Sequence, residues 1–290
     1  MALDDSSPRI AIWTQVVPTL AVDHAFLMHG VLAVSAAHLA RTRPNQRDRY
    51  LPIAHEHHDR GLELFQELDR AGIPSANVHS LHEAKITFKL MQVVLSLALT
   101  EPTRDADQDL DSFTDWLVSL RFFFRTAHQL YDGLGGRESR ITALLRRAED
   151  GPPELSRLDE GLEKSLNLLD AKNRTSENNT SAIDKEHISD AIAKTKLWMR
   201  LVSLRPRTAL FVATCAINLG ADFFRLVKQR NPEALMVMAH FLVPMCRMPK
   251  RWFWDGRFDG IIATIVKMLP AEDWQVHLKW VLGQVDISNP

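Results

Sequence analysis

The residues with the greatest chemical reach in this chain sit in one short segment, MPKRWFWDGRFDG. There Lys250, Arg251 and Arg257 stand beside Asp255 and Asp259 and surround Trp252, Phe253 and Trp254. A helix would place Asp255 and Asp259 on one face, and carboxylate oxygens are what magnesium takes. Lysine and arginine hold a departing anion, while indole and phenyl faces stabilise a nearby cation. An ordinary salt-bridged loop and helix start would carry the same residues. A second acidic set, Asp105, Asp107, Asp109 and Asp111, precedes a helical segment, where the helix dipole favours negative charge. Capping is the plainer role for these acids, and metal binding by Asp105 and Asp109 the chemical one. In the third long helical segment His82, Glu83 and Lys85 interrupt an apolar pattern. Such residues usually face water, whereas an inward Glu83 would add a ligand.

The run HEHHD, His55 to Asp59, invites a zinc reading because His55 and Asp59 are one turn apart, but the zincin spacing needs histidine where Asp59 stands. His29 and His38 are expected on the buried face of an early helix as neutral, hydrogen-bonded core histidines. Only Cys215 and Cys246 occur, so neither a disulfide framework nor a cysteine-rich zinc site is expected, and a reducing compartment fits. No GxSxG, P-loop or GxGxxG motif is present, which leaves hydrolase, NTPase and dehydrogenase readings without support.

The elements that must position these residues read as helices throughout. Hydrophobic residues make up 46% of the 290, enough to bury a sizeable core. They recur at three and four, whereas sustained period-two alternation is missing. The predicted helices cover His24 to Arg41, Asp48 to Arg70, Val78 to Leu99, Leu110 to Tyr131, Glu138 to Ala148 and Leu155 to Leu169. Five more cover Ile183 to Leu204, Thr208 to Lys228, Pro232 to Met248, Gly256 to Leu269 and Ala271 to Leu282, each bounded by proline, glycine or a polar run. The expectation is therefore an all-α single domain, residues 1–290, of about eleven helices packed as antiparallel hairpins around an apolar pocket. NRTSENNTS places a mobile polar loop around 170–182. Its Asn173, Asn178 and Asn179 open N-x-S/T triplets, but the acidic MALDDSSPRI start does not read as a secretory signal. No apolar run reaches the ~20 residues of a membrane span. With 35 basic against 36 acidic residues, no overall field draws the chain onto nucleic acid.

Two stretches resemble the ligand-binding domain of the fungal sterol-uptake regulators, a group of zinc-cluster transcription factors. One is VVPTLAVDHAFLMHGVLAVSAAHLA, Val16 to Ala40, followed by Tyr50, Ala54, His57 and Leu62 at the family's spacing. The other is NPEALMVMAHFLVPMCRMPKRWFWDGRFDGIIATIVKMLPAEDWQVHLKW, Asn231 to Trp280. DWLVSLR, Asp115 to Arg121, is similar to the family's central segment. Phe122 stands where the family usually has glycine, Val281 where it often has proline, and the six-cysteine cluster is missing from these residues. The resemblance implies a helical domain holding a sterol between its C-terminal helices. Met238, Phe241 and Met245 are then candidate ligand contacts, although a Met and Phe stripe at helical spacing is more often plain core. It also implies a tendency to form a homodimer.

A free-standing form of such a domain is similar to the atypical fungal humulene synthases, helical sesquiterpene cyclases without an aspartate-rich signature. This second resemblance implies a magnesium-dependent enzyme acting on farnesyl diphosphate in secondary metabolism. Lys250 and Arg251 would hold the diphosphate, and Asp255, Asp259, Asp105 and Asp109 the magnesium. Met238, Phe241, Met245, Trp252 and Trp254 would shape the isoprenoid. The regulator alternative implies a sterol-like ligand and no metal. Neither reading includes direct nucleic-acid binding by this chain. The cyclase is expected in the cytoplasm and the regulator in the nucleus.

Overall fold

The computed structural model describes residues 10–71, 78–100, 105–133, 139–141, 158–176, 180–202, 218–247, 250–254 and 256–285. These residues form an all-α structure, with eleven α-helices and no strand among them. The expected helix over Glu138 to Ala148 and the start of that over Thr208 to Lys228 lie largely outside the described residues. Among the described residues no helix is long and apolar enough to cross a membrane. The chain divides into two compact units. One comprises Met1–Glu101, Ser119–Arg147 and Arg251–Trp254, and the other Pro102–Val118, Ala148–Lys250 and Asp255–Pro290.

In the first unit a π-helical turn, Ile12–Val16, runs into α1 (Val17–Asp23), which is followed by α2 (Ala25–Thr42), α3 (Arg47–Ala71) and α4 (Val78–Leu99). The backbone of His24 swings to an extended conformation between α1 and α2, and Pro44 opens a short 3-10 turn before α3. Phe26, Phe65 and Phe88, one from each of α2, α3 and α4, form the centre. Phe65 stacks on Phe88 at 5.2 Å, and Phe26 meets both edge-on at 5.6 and 5.4 Å. Two glycines make this approach possible. A Cβ on Gly30 would come 2.9 Å from Cδ2 of Phe88, and one on Gly61 3.1 Å from its Cε2.

The buried face of α2 carries Phe26, Leu27, Gly30, Ala33, Val34, Ala37 and Ala40. His38 consequently lies on the exposed side, and His29 is half-buried, which corrects the expectation of two core histidines. α5 (Ala106–Gly133) contributes its first part to the second unit and its second part to the first.

The second unit holds α6 (Glu160–Thr175), α7 (Ala182–Val202), α8 (Ala221–Lys228), α9 (Pro232–Cys246), α10 (Arg257–Met268) and α11 (Ala271–Leu282). Side-chain caps set two of the starts: Asp159 accepts the Leu162 amide at 2.9 Å and Asn231 the Ala234 amide at 2.9 Å. Gly256, at φ 71°, takes the left-handed conformation before α10 that other residues adopt at a cost. α9 lies at the centre, packed against α6, α7, α8, α10 and α11, and every residue from Glu233 to Met245 is buried. Each large apolar side chain so enclosed contributes roughly 1.5–3 kcal/mol.

The polar run expected to be a loop is helical through Thr175. Asn173 is buried there, its amide donating to the Lys185 carbonyl at 2.8 Å and to Ser189 Oγ at 3.1 Å.

Candidate functional site

The segment MPKRWFWDGRFDG is divided between the units. Lys250 and Asp259 belong to the second, 251–254 to the first, and Asp255 lies outside the described residues. Lys250 is exposed and Arg251 half-buried. Trp252 turns its edge to His38 at 5.2 Å, while Phe253 and Trp254 are buried and pack against each other at 4.6 Å. These aromatics fill a core edge of the first unit. Asp259 is half-buried beside Cys246. Burial pushes the Cys246 thiol well up, and the Asp259 carboxylate, by its charge and by accepting the S–H, pushes it further, so the thiol is an inert one.

The acids around the start of α5 have structural partners. Asp105 caps the helix, its carboxylate accepting the amides of Asp107 at 2.9 Å and Gln108 at 3.3 Å. Arg230 reaches Asp107 through Nε and Asp111 through Nη1, both at 2.7 Å, and also donates to the Asp107 carbonyl. These bonds hold the guanidinium pKa above its usual value, the Asp111 hydrogen bond being the largest cause. Arg230 itself has φ 59°, a left-handed backbone that the double ion pair helps to fix. Lys228 pairs with Asp115 at 2.5 Å. Asp109 is half-buried. Among the described residues no group of three or more His, Cys, Asp or Glu is arranged to hold a metal ion.

In the first unit Glu83 and Lys85 are buried, not turned to water. Arg140 donates twice to Glu83 Oε2, from Nε at 2.9 Å and Nη2 at 2.6 Å, while Oε1 accepts from Ser139 Oγ and the Arg140 amide. Lys85 pairs with Asp69. From the HEHHD run, His57 meets His29 nitrogen to nitrogen at 2.9 Å, His58 lies 3.0 Å from Asp59, and His55 is exposed. His29 is held below the ordinary imidazole range by burial and then by the neighbouring His57.

The Met and Phe stripe of α9 is enclosed. Met236, Met238 and Phe241 have no exposed surface and Met245 has 2%. Across from it on α7, Trp198 lies against Phe241 with ring centres 5.1 Å apart and planes 29° from parallel. One turn earlier on the same helix stands Thr195. Thr195 and Trp198 are 1% and 3% exposed, yet neither Thr195 Oγ1 nor Trp198 Nε1 has a hydrogen-bond partner. A buried helical threonine normally returns its hydroxyl to a carbonyl four residues back, as Thr87 and Thr114 do here. An open groove of about 390 Å³ lies over α6, lined by Glu160, Glu163, Lys164, Asn167 and Leu168.

Behind the stripe, His240 Nδ1 lies 2.8 Å from the Met236 carbonyl and so carries the proton. Its Nε2 accepts from Ser165 Oγ at 2.8 Å, and its ring is stacked on Trp280, with centroids 5.5 Å apart and planes 3° from parallel. Trp280 Nε1 donates to the capping Asp159 at 2.9 Å. Burial lowers the His240 pKa to about 4. The Ser–His pair has the tautomer of a hydrolytic dyad, but His240 is wholly buried and Ser165 only 5% exposed. The pair joins α6, α9 and α11.

Sequence reasoning passed over Thr195, Trp198, Ser165 and His240. The one available signal was polarity inside an apolar run, at His240 in LMVMAHFLV. No protein-family model matches the chain, and no curated protein or solved structure shows significant similarity to it.

Proposed function

We propose that the second unit binds a neutral apolar isoprenoid, sterol-like or linear, and acts as a sensor of it, as the resemblance to the sterol-uptake regulators suggests. The observation that carries this reading is α9. A central helix buried along thirteen residues and rich in thioethers is an adaptable wall. Met236, Met238 and Met245 change rotamer at little cost, so ligand entry exchanges one dense packing for another. The cyclase reading draws less support. Asp105 caps α5, and Asp107 and Asp111 clasp Arg230.

The test is titration of the purified chain with cholestanol, farnesol or farnesyl diphosphate with magnesium, followed by native mass spectrometry and tryptophan fluorescence. One saturable site for a neutral isoprenoid is expected. Met238→Leu keeps the volume but stiffens the wall, so it should weaken that binding about ten-fold while costing less than about 1.5 kcal/mol of stability. Absence of any isoprenoid complex would sink the reading. A volatile hydrocarbon formed from farnesyl diphosphate and abolished by EDTA would put the cyclase in its place.

A further inference from the structure

We infer that Thr195 and Trp198 are the polar anchor of this site and take the single hydroxyl of an otherwise apolar, uncharged ligand. The inference rests on the reading of the second unit as an isoprenoid receptor. Folded proteins pair nearly all buried polar groups, so two unpartnered groups one turn apart on one face of α7 call for an explanation. The indole N–H can only donate, whereas the threonine hydroxyl both donates and accepts. One ligand hydroxyl oxygen accepts from Trp198 Nε1 and, through its own hydrogen or its second lone pair, also satisfies Thr195 Oγ1. The rest of the ligand then meets Phe241 and the thioethers of α9.

Charge excludes a diphosphate from this anchor. The cations of α7 are engaged at its solvent side, Lys194 with Asp190 at 2.6 Å, Lys196 with Asn167 at 2.7 Å and Arg200 near Glu163 at 3.8 Å. A polyanion set beside Thr195 and Trp198 would be buried without a counter-charge, which is far costlier than burying a hydroxyl. The anchor therefore selects the alcohol over its diphosphate ester and over the parent hydrocarbon. A buried water could satisfy the same two groups, but it would give no such selection among ligands.

The experiment measures ratios of affinity, which losses of packing common to both ligands do not move. Cholestanol is compared with cholestane, and farnesol with both farnesene and farnesyl diphosphate, on the full chain and on Thr195→Val and Trp198→Phe. In the unaltered protein the alcohol should bind at least ten-fold tighter than the hydrocarbon and the diphosphate. Either substitution should shrink the alcohol-to-hydrocarbon ratio to about two- or three-fold. Thr195→Val should also raise the melting temperature of the unliganded protein by about 2–4 °C, because an unsatisfied hydroxyl is replaced by an isosteric methyl. The pair of compounds that shows the effect tells sterol from linear ligand. Equal binding of alcohol and hydrocarbon, or a ratio unchanged by both substitutions, overturns the anchor and leaves the receptor standing. If neither alcohol nor hydrocarbon binds, anchor and receptor fall together.

Discussion

Between pH 7 and pH 4 the second unit is expected to lose about 3 kcal/mol of stability through His240 alone. In the folded chain burial lowers this imidazole from its ordinary 6.5 to about 4. The neutral ring is the one that fits. Nδ1–H donates to Met236, Nε2 accepts from Ser165, and the flat face lies on Trp280, so a proton on Nε2 would turn the Ser165 hydroxyl away to the His277 carbonyl, 3.4 Å off, and leave a charge without a counter-ion in a site without solvent. Unfolded chains take up the proton near pH 6.5 while folded ones do not. The stabilising contribution is thus complete above that pH and is lost progressively as pH falls towards the folded value, at up to about 1.4 kcal/mol per pH unit.

Carboxylates and the other histidines with lowered pKa values add to the acid response, so the measurement is a difference. Denaturant titrations at pH 7, 6, 5 and 4 are compared between the protein and His240→Phe, which keeps an aromatic ring on Trp280 and cannot titrate. The variant is less stable at pH 7, because the imidazole's bonds to Ser165 and to the Met236 carbonyl are lost. Its loss of stability on acidification should be smaller by about 3 kcal/mol. Parallel curves for the two proteins would refute the assignment.

The helical class was legible because apolar spacing at three and four reports directly on a helix burying one face. α4, over Val78–Leu99, and α11, over Ala271–Leu282, begin and end where the sequence places them. α1 was not expected, and it carries Pro18 in its first turn, where proline is tolerated because its missing N–H would be unpaired in any case. α5 starts four residues earlier than expected because Asp105, not a later acid, is its cap. The extension of α6 through Asn173 was hidden for a different reason. A buried amide is tolerable only if partners meet it, and Lys185 and Ser189 come from the next helix.

The same limit governs the site. Composition marks the aspartates before α5 as a possible metal set, but Arg230, more than a hundred positions later, decides that two of them are ion-pair partners. Thr195 and Trp198 read as ordinary helix residues. What distinguishes them is the absence of a hydrogen bond, which no sequence records.

Arg140→Ala is expected to cost about 3 kcal/mol, more than the loss of Glu83 itself. The asymmetry follows from burial. The Glu83 side chain is 6% exposed and that of Arg140 49%, so the guanidinium returns to water when its partner is removed, whereas the carboxylate cannot. Without Arg140's side chain, Oε1 keeps Ser139 Oγ and the backbone amide of residue 140, but Oε2 loses both donors and stays inside α4's packing. Leaving a buried charge half-paired is the expensive outcome, whereas replacing both partners by apolar side chains is often close to neutral. Glu83→Leu should therefore cost only about 1–2 kcal/mol, chiefly for the freed Ser139 and amide donors. Adding Arg140→Leu to it should cost little more, giving a coupling of about 2 kcal/mol in a double-mutant cycle read by denaturant unfolding. Additive losses would mean that the contact is a surface ion pair with no hold on residues 139–141. A Glu83→Leu loss exceeding that of Arg140→Ala would mean that the carboxylate is not the stranded partner.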